Sequence, residues 1–273
     1  MKLLENKVAI VTGAARGIGQ ATAELFAQHG AKTVMSDIDP GPLNEAVSAI
    51  QKSGGQVFAV PGDVTDPQFP DRLIKATLEK FGGLDVIVNN AGYTWDGVIH
   101  KMTDQQWQAI IDCHLTAPFR IVRAASNFIR ETAKKEQAEQ GRSRARKIIC
   151  ISSTSGTRGN AGQVNYSSGK SGVIGLARTL AKEWGMFNVQ ANAVAFGWIN
   201  TRLTHAKEEQ VKIKRENVEI ELGIPADRLQ LMSKMIPLGR AGTAHEAAGA
   251  VLFFASPLSD YVSGQVLEVA GGL

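Results

Sequence analysis

Cysteine and long apolar stretches are what this chain has least of. Two cysteines occur in 273 residues, Cys113 and Cys150, which give neither a disulfide framework nor a metal-ligand cluster. The longest apolar run, 247–255, is nine residues, against the roughly 20 that a membrane span needs. Glu5 and Lys7 interrupt the N-terminus before a signal-peptide core could form. A soluble protein of the reducing cytoplasm is therefore expected. His29, His100, His205 and His245 show no metal spacing and no pairing with a nucleophile, so no metal site is expected. An excess of one charge is also confined to one place. Residues 130–147 hold seven cations (Arg130, Lys134, Lys135, Arg142, Arg144, Arg146, Lys147) against Glu131, Glu136 and Glu139, which is the whole net excess of +4. A dispersed nucleic-acid footprint is absent. The segment reads as a solvated helix end and loop, or as a docking site for an acidic partner.

What is present is a regular alternation of short β-rich runs with helical patterns. Strands are expected at 7–12, 31–36, 56–60, 84–88, 147–152, 188–194 and 265–269. Helices are expected at 17–29, 42–52, 67–81, 103–133, 163–184 and 243–254. Strands separated by helical lengths imply parallel pairing with crossover helices on both faces. Their near-continuous apolar runs suit strands buried on both sides. The expectation is one α/β domain, 1–273, a three-layer αβα arrangement. Two segments break the rhythm: a basic surface insertion at 133–146, and 202–238. The second is rich in charge, fits no strand, and reads as a substrate lid or an oligomer arm.

Residues 12–19 read TGAARGIG and lie between the first strand and the first helix. Gly13, Gly17 and Gly19 give a tight turn and close approach, and a helix N-terminus offers N–H groups to a pyrophosphate. The spacing is G-x-x-x-G-x-G, not G-x-G-x-x-G, so its placement after a strand carries the reading. Asp37 ends the second strand, where an acid accepts hydrogen bonds from a ribose 2′-OH and repels a 2′-phosphate. Arg16 pulls the other way, because a guanidinium in the turn can bind that phosphate. The balance is read as NAD(H) in preference to NADP(H).

Tyr166 and Lys170 stand four residues apart at the start of a helix, hence on one face. A nearby ammonium is expected to lower the tyrosine pKa and make it an acid/base near neutrality. Ser153, thirteen residues upstream, ends the fifth strand, at the edge where open α/β sheets bind ligands. Ser167 and Ser168 have no base at readable spacing, which argues against a serine hydrolase.

Together TGAARGIG, NNAG (89–92), Ser153, YSSGK (166–170) and the closing PLGRAG and GQVLEVAGG resemble the short-chain dehydrogenase/reductase family. The likeness spans the chain except 133–146 and 202–236. It is greatest to 3-oxoacyl-acyl-carrier-protein reductases. The resemblance implies a doubly wound Rossmann-type parallel sheet of seven strands in the order 3-2-1-4-5-6-7. It further implies hydride transfer between a nicotinamide and a carbonyl or secondary alcohol, with a 3-oxoacyl thioester as the expected substrate. Another secondary alcohol (cyclic, polyol, steroid or aromatic) and a non-catalytic cofactor-binding regulator are the alternatives. By the same resemblance Tyr166 is the general acid, Lys170 lowers its pKa and holds the ribose, and Ser153 orients the substrate oxygen. Ile18, Ile38, Asp63, Val64, Asn90, Ala91, Gly92, Ile199 and Thr201 join the glycine turn as cofactor contacts. A homotetramer is implied as well.

The chain departs from the family in three places. His114 stands where an asparagine usually anchors a water behind the lysine; as a substitute relay it would add an inflection near pH 6–7. It could equally be a packing histidine. Phe196 replaces a proline, and with Tyr93, Trp95 and Trp198 it suggests a cleft for an apolar or bulky substrate; core packing is the competing reading for each. Phe187 replaces a basic residue common in the acyl-carrier reductases.

Overall fold

A computed structural model of the chain describes residues 2–202, 204, 212–215, 218–221 and 223–273. Seven strands form one parallel sheet in the order β3-β2-β1-β4-β5-β6-β9. They are β1 (Val8–Thr12), β2 (Lys32–Asp37), β3 (Gln56–Pro61), β4 (Val86–Asn89), β5 (Arg146–Ser153), β6 (Val189–Phe196) and β9 (Val266–Val269). The order matches the expected one, the final strand being ninth only because a hairpin precedes it. Period-2 side-chain alternation divides the interior in two. Ile10, Ile87, Ile148 and Ala193 face one core, while Val11, Val88, Ile149 and Val194 face the other.

The first core is covered by α3 (Phe69–Phe81), α4 (Asp104–Ile111), α5 (Ala117–Gln140) and α7 (Val164–Trp184). The second is covered by α1 (Gly17–Gln28), α2 (Pro40–Lys52) and α9 (Ala244–Ala255). Short α6 (Thr154–Arg158) follows β5, and α8 (Ala226–Met235) precedes α9. Local chemistry sets several ends. Thr103 with Gln106 closes a capping box on α4, and Thr243 with Glu246 does so on α9, each satisfying amides that a helix start leaves open.

Strand order reverses beside β1, which pairs with both β2 and β4. A crevice opens at the carboxyl ends there, the usual ligand position of open α/β sheets.

Three elements differ from the sequence expectation. The single helix expected over 103–133 is two, α4 and α5, joined by a π-helical turn at Asp112–Thr116. Within 202–238, where no strand was expected, β7 (Lys212–Arg215) pairs antiparallel with β8 (Val218–Glu221). Its apolar pair, Ile213 and Ile220, is buried; one inward residue per strand among charges is too brief an alternation to read in sequence. Residues 203, 205–211, 216, 217 and 222 of that segment, His205 included, lie outside the described residues.

The basic stretch is the third. Residues up to Gln140 prolong α5, and Gly141 closes it in the left-handed conformation with φ 74°. Arg146 begins β5, buried, and its guanidinium binds the Glu136 carboxylate through both oxygens at 2.7 and 3.0 Å. Burial opposes ionisation of Glu136, but the bonds from Arg146 and the Arg144 amide hold its pKa below the ordinary value. Lys147, also buried, reaches Asp260 at 2.7 Å. Two of the seven cations therefore serve inside the fold, and the surface excess is smaller than the sequence count suggests.

Candidate active site

A cleft of about 1170 Å³ runs along the carboxyl ends of the strands, above the roughly 300–1,000 Å³ usual for one small ligand. Its nucleotide end grows from β1. Gly13 and Gly17 sit at φ 63° and 57°, a region side chains rarely enter. A Cβ on Gly13 would lie 2.7 Å from the Cα of Ala91, and one on Gly19 would collide with the Gly13 carbonyl. The glycines thus let the first turn, α1 and the β4 end close on one another. No side chain caps α1 at Arg16, which leaves its first-turn N–H groups for a ligand anion.

Thr12, which sequence reasoning missed, ties this end together. Its hydroxyl accepts from the amides of Asn90 and Ala91, both at 3.0 Å, and the Asn90 side chain donates back to the Thr12 and Gly13 carbonyls at 2.8 and 3.0 Å. The Asp37 carboxylate accepts from the amides of Ala15 at 3.0 Å and Asp39 at 3.1 Å. Arg16 donates through Nη1 to Asp39 at 3.0 Å. Asp63 is fixed by the Thr65 amide and hydroxyl at 2.8 and 2.7 Å. Gly13, Arg16, Gly17, Ile18, Gly19, Asp37, Ile38, Asp63, Val64, Asn90, Ala91, Gly92, Ile199 and Thr201 all line the cleft.

At the other end β5 delivers Ser153 and α7 delivers Tyr166 and Lys170, all three lining the same cleft. Ser153 Oγ accepts from the Ser155 amide at 3.1 Å and its hydroxyl is hydrogen-bonded to Tyr166. Lys170 Nζ donates to the Ile151 carbonyl at 2.7 Å and stands 5.6 Å from the Tyr166 ring centroid. The expected lowering of the tyrosine pKa is not what this geometry gives. Burial pushes Tyr166 up to about 12 against the pull of Ser153. Burial also brings Lys170 down to about 8. Desolvation disfavours the charged form of both, so without a ligand the phenol is firmly protonated and the amine holds its proton weakly.

Asn165, also missed, holds this end in register. It is fully buried; its amide donates to the carbonyls of Trp95 at 3.0 Å and Gln106 at 3.1 Å, and its oxygen accepts from the Tyr166 amide at 2.8 Å. Adjacency to Tyr166 is the one signal the sequence offers for it.

His114 occupies the π-helical turn, buried, with its ring edge-on to Tyr166 at 5.0 Å. Its Nε2 lies 2.7 Å from the Tyr93 carbonyl, which puts the proton on Nε2, and Nδ1 has no partner among the described residues. Burial, then the Lys170 charge, carries its pKa well below 6.5. The inflection expected near pH 6–7 therefore does not belong to this histidine, because desolvation keeps it neutral there. Gly92 makes room for it, since a Cβ there would strike the imidazole.

Tyr93, Phe196 and Trp198 line the cleft, but Trp95 does not. Its indole packs on the first core and its carbonyl serves Asn165, so it is a structural residue rather than a substrate contact. Leu231 and Met235 of α8, apolar residues of the expected lid segment, line the cleft together with Ile236 just beyond the helix; none of the three was expected as a substrate contact.

A chamber that can receive a phosphate-bearing cofactor at one end and move a proton at the other puts the chain among the dinucleotide-dependent oxidoreductases. Comparison with known proteins narrows the class. A family model described as "Enoyl-(Acyl carrier protein) reductase" matches residues 13–273. The 3-oxoacyl-(acyl-carrier-protein) reductase FabG of Vibrio cholerae is 37% identical over 99% of this chain and 98% of its own length. The 3-oxoacyl-(acyl-carrier-protein) reductase of Synechocystis is 39% identical over 100% and 99%, and FabG of Escherichia coli 36% over 98% and 98%. The chain belongs to the short-chain dehydrogenase/reductase family, the oxidoreductases of CH–OH groups that use a nicotinamide cofactor.

Proposed function

We propose that the protein reduces a 3-oxoacyl thioester to the 3-hydroxyacyl thioester, with NAD(H) preferred over NADP(H). The observation that carries the substrate is the apolar mouth of the cleft. Leu231 and Met235, one turn apart on α8, line it while 58% and 59% exposed, an arrangement suited to an acyl chain. The names of the relatives point the same way. α8 and the stretch 223–225 that leads into it act as the lid over this mouth.

The residues fit a dinucleotide: an uncapped helix start, glycines that admit close approach, and Asp37 held where a ribose hydroxyl would donate to it. When bound, the nicotinamide supplies the hydride. Tyr166, kept neutral by burial, gives its phenol proton to the oxygen on which negative charge develops. Ser153 donates to the same oxygen and orients it. Lys170 makes the departing proton less costly by its charge and can return one to Tyr166, since its own pKa lies near 8. His114 fixes the Tyr93 backbone through Nε2. Assembly as a cytoplasmic homotetramer goes with this reading, supported by Leu258, Tyr261 and Leu267, exposed around the final strand. Among the described residues no helix is long and apolar enough to cross a membrane.

Initial rates of NADH and NADPH oxidation with a short 3-oxoacyl thioester test the reading. Fast turnover with NADH is expected. Failure with both cofactors, while cyclic or aromatic ketones are reduced, would move the substrate to another carbonyl.

A further inference from the structure

The cofactor choice contains an unresolved contest between Arg16 and Asp37, and a third residue decides it. We propose that Asp39 sets cofactor selection by clasping Arg16, so that the nucleotide end accepts a free 2′-hydroxyl and refuses a 2′-phosphate. This rests on the reading that the cleft binds a nicotinamide dinucleotide.

The geometry is a relay of three side chains. Asp37 ends β2, and its carboxylate receives the amide of Ala15 from the glycine turn and the amide of Asp39 two residues on. Those two bonds fix the backbone at Asp39 relative to Arg16. The Asp39 carboxylate then accepts from Arg16 Nη1 at 3.0 Å. Arg16 and Asp37 line the cleft, whereas Asp39 is outside its lining. Asp39 is therefore a positioning residue, reaching the guanidinium from behind.

A guanidinium recognises a phosphate by presenting a pair of N–H groups to two oxygens. Here part of that fork is committed to a carboxylate. A 2′-phosphate would compete with Asp39 for Arg16 Nη1 while approaching Asp37, so two negative charges weaken what it gains from one positive partner. A 2′-hydroxyl has no such conflict, because it donates to Asp37 and leaves the Arg16–Asp39 pair intact. The ion pair is partly exposed, with side-chain accessibilities of 40% and 32%, so it adds little to folding. The side chain of Asp39 makes no capping bond to α2, so a neutral substitution there removes no N-cap.

The experiment measures Kd by calorimetry for ADP-ribose and for its 2′-phosphate, probes that need no turnover. The proteins are the wild type, Asp39→Asn, Arg16→Ala and the double variant. Wild type should favour ADP-ribose. Asp39→Asn should move the affinity ratio about tenfold toward the 2′-phosphate by freeing a charge-assisted bond from Arg16. In the Arg16→Ala background the same change should move it by less than about twofold. Asp39→Ser, a residue suited to a helix start, repeats the test should the asparagine variant melt early. A ratio unmoved in Asp39→Asn overturns the proposal. So does an equal shift without Arg16, which would make Asp39 a simple repulsive charge, and so does binding of neither probe. Absence of 3-oxoacyl reduction alongside the expected binding shifts would sink the proposed substrate and leave the clasp standing.

Discussion

The two ends of the cleft are built by different means. At the nucleotide end nearly every anchoring contact involves backbone: Thr12 to the amides of Asn90 and Ala91, Asp37 to those of Ala15 and Asp39, and α1 offering its own N–H groups. At the substrate end the walls are side chains, from Tyr93 and Trp198 to Leu231 and Met235. A cofactor of constant shape can be met by main chain on rigid strand ends, which side-chain replacement barely alters. A substrate is selected by side chains, and these sit on loops and short elements that can vary without disturbing the sheet. The proposed chemistry lies at the junction where the two meet, on Ser153 of β5 and on Tyr166 and Lys170 of α7, which line the same cleft.

The largest expected effect separates chemistry from binding at that junction. Tyr166→Phe should lower kcat by about 10²–10⁴-fold, the usual worth of a positioned proton donor. Its Kd for NADH should stay close to wild type. Steady-state rates beside a fluorescence titration check both. Turnover near wild type would remove Tyr166 from the proton path and leave the junction without an acid.

Gly19→Ala probes the backbone end in the opposite sense. Its Cβ would meet the Gly13 carbonyl, and main chain on both sides leaves nothing flexible to give way. Overpacking of this kind costs about 1–3 kcal/mol. Lower thermal stability and weakened NADH binding are expected together. A stable variant that binds NADH normally would show the turn to be softer than its packing implies.

The same contrast explains what the sequence could disclose. Glycine spacing, an acid at a strand end and a Tyr–Lys pair at helical spacing are local patterns, and each residue so named lies where expected. Asp39 and Thr12 left no such mark, because their partners are distant in the chain or are amides common to every residue. For Trp95 the sequence leaves cleft and core open, because adjacency to the NNAG turn says nothing about which way an indole points, and the fold takes the core. The tyrosine pKa was misjudged for a related reason: spacing gives the neighbouring charge, while burial, the larger influence here, exists only in the fold. The apolar residues of 202–238 were visible in the sequence, but the pairing of 212–215 with 218–221 was not, because each strand buries one side chain among charged neighbours.

Substrate preference should then follow the side-chain end alone. With acyl chains lengthened from about four to about ten carbons, kcat/KM should climb, each methylene buried being worth up to ~0.8 kcal/mol. Leu231→Ser combined with Met235→Ser should flatten that climb while sparing the rate on the shortest thioester. A slope unchanged in the double variant would place the acyl chain elsewhere than against α8.

The smallest effect concerns His114, where the junction's wall holds a titratable ring. Its folded pKa lies well below 6.5, so as pH falls below that value the unfolded chain takes up a proton that the folded one refuses. Stability must then fall with pH, by at most about 1.4 kcal/mol per unit from this group. His114→Asn removes the penalty. Urea unfolding at about pH 6.5 and about pH 5 should therefore give the variant a shallower loss than the wild type, with rate profiles of the same shape near neutrality. Equal losses would mean that the folded protein does protonate His114. An imidazolium could then stand edge-on to the phenol, and the proton path behind Tyr166 would have to include it.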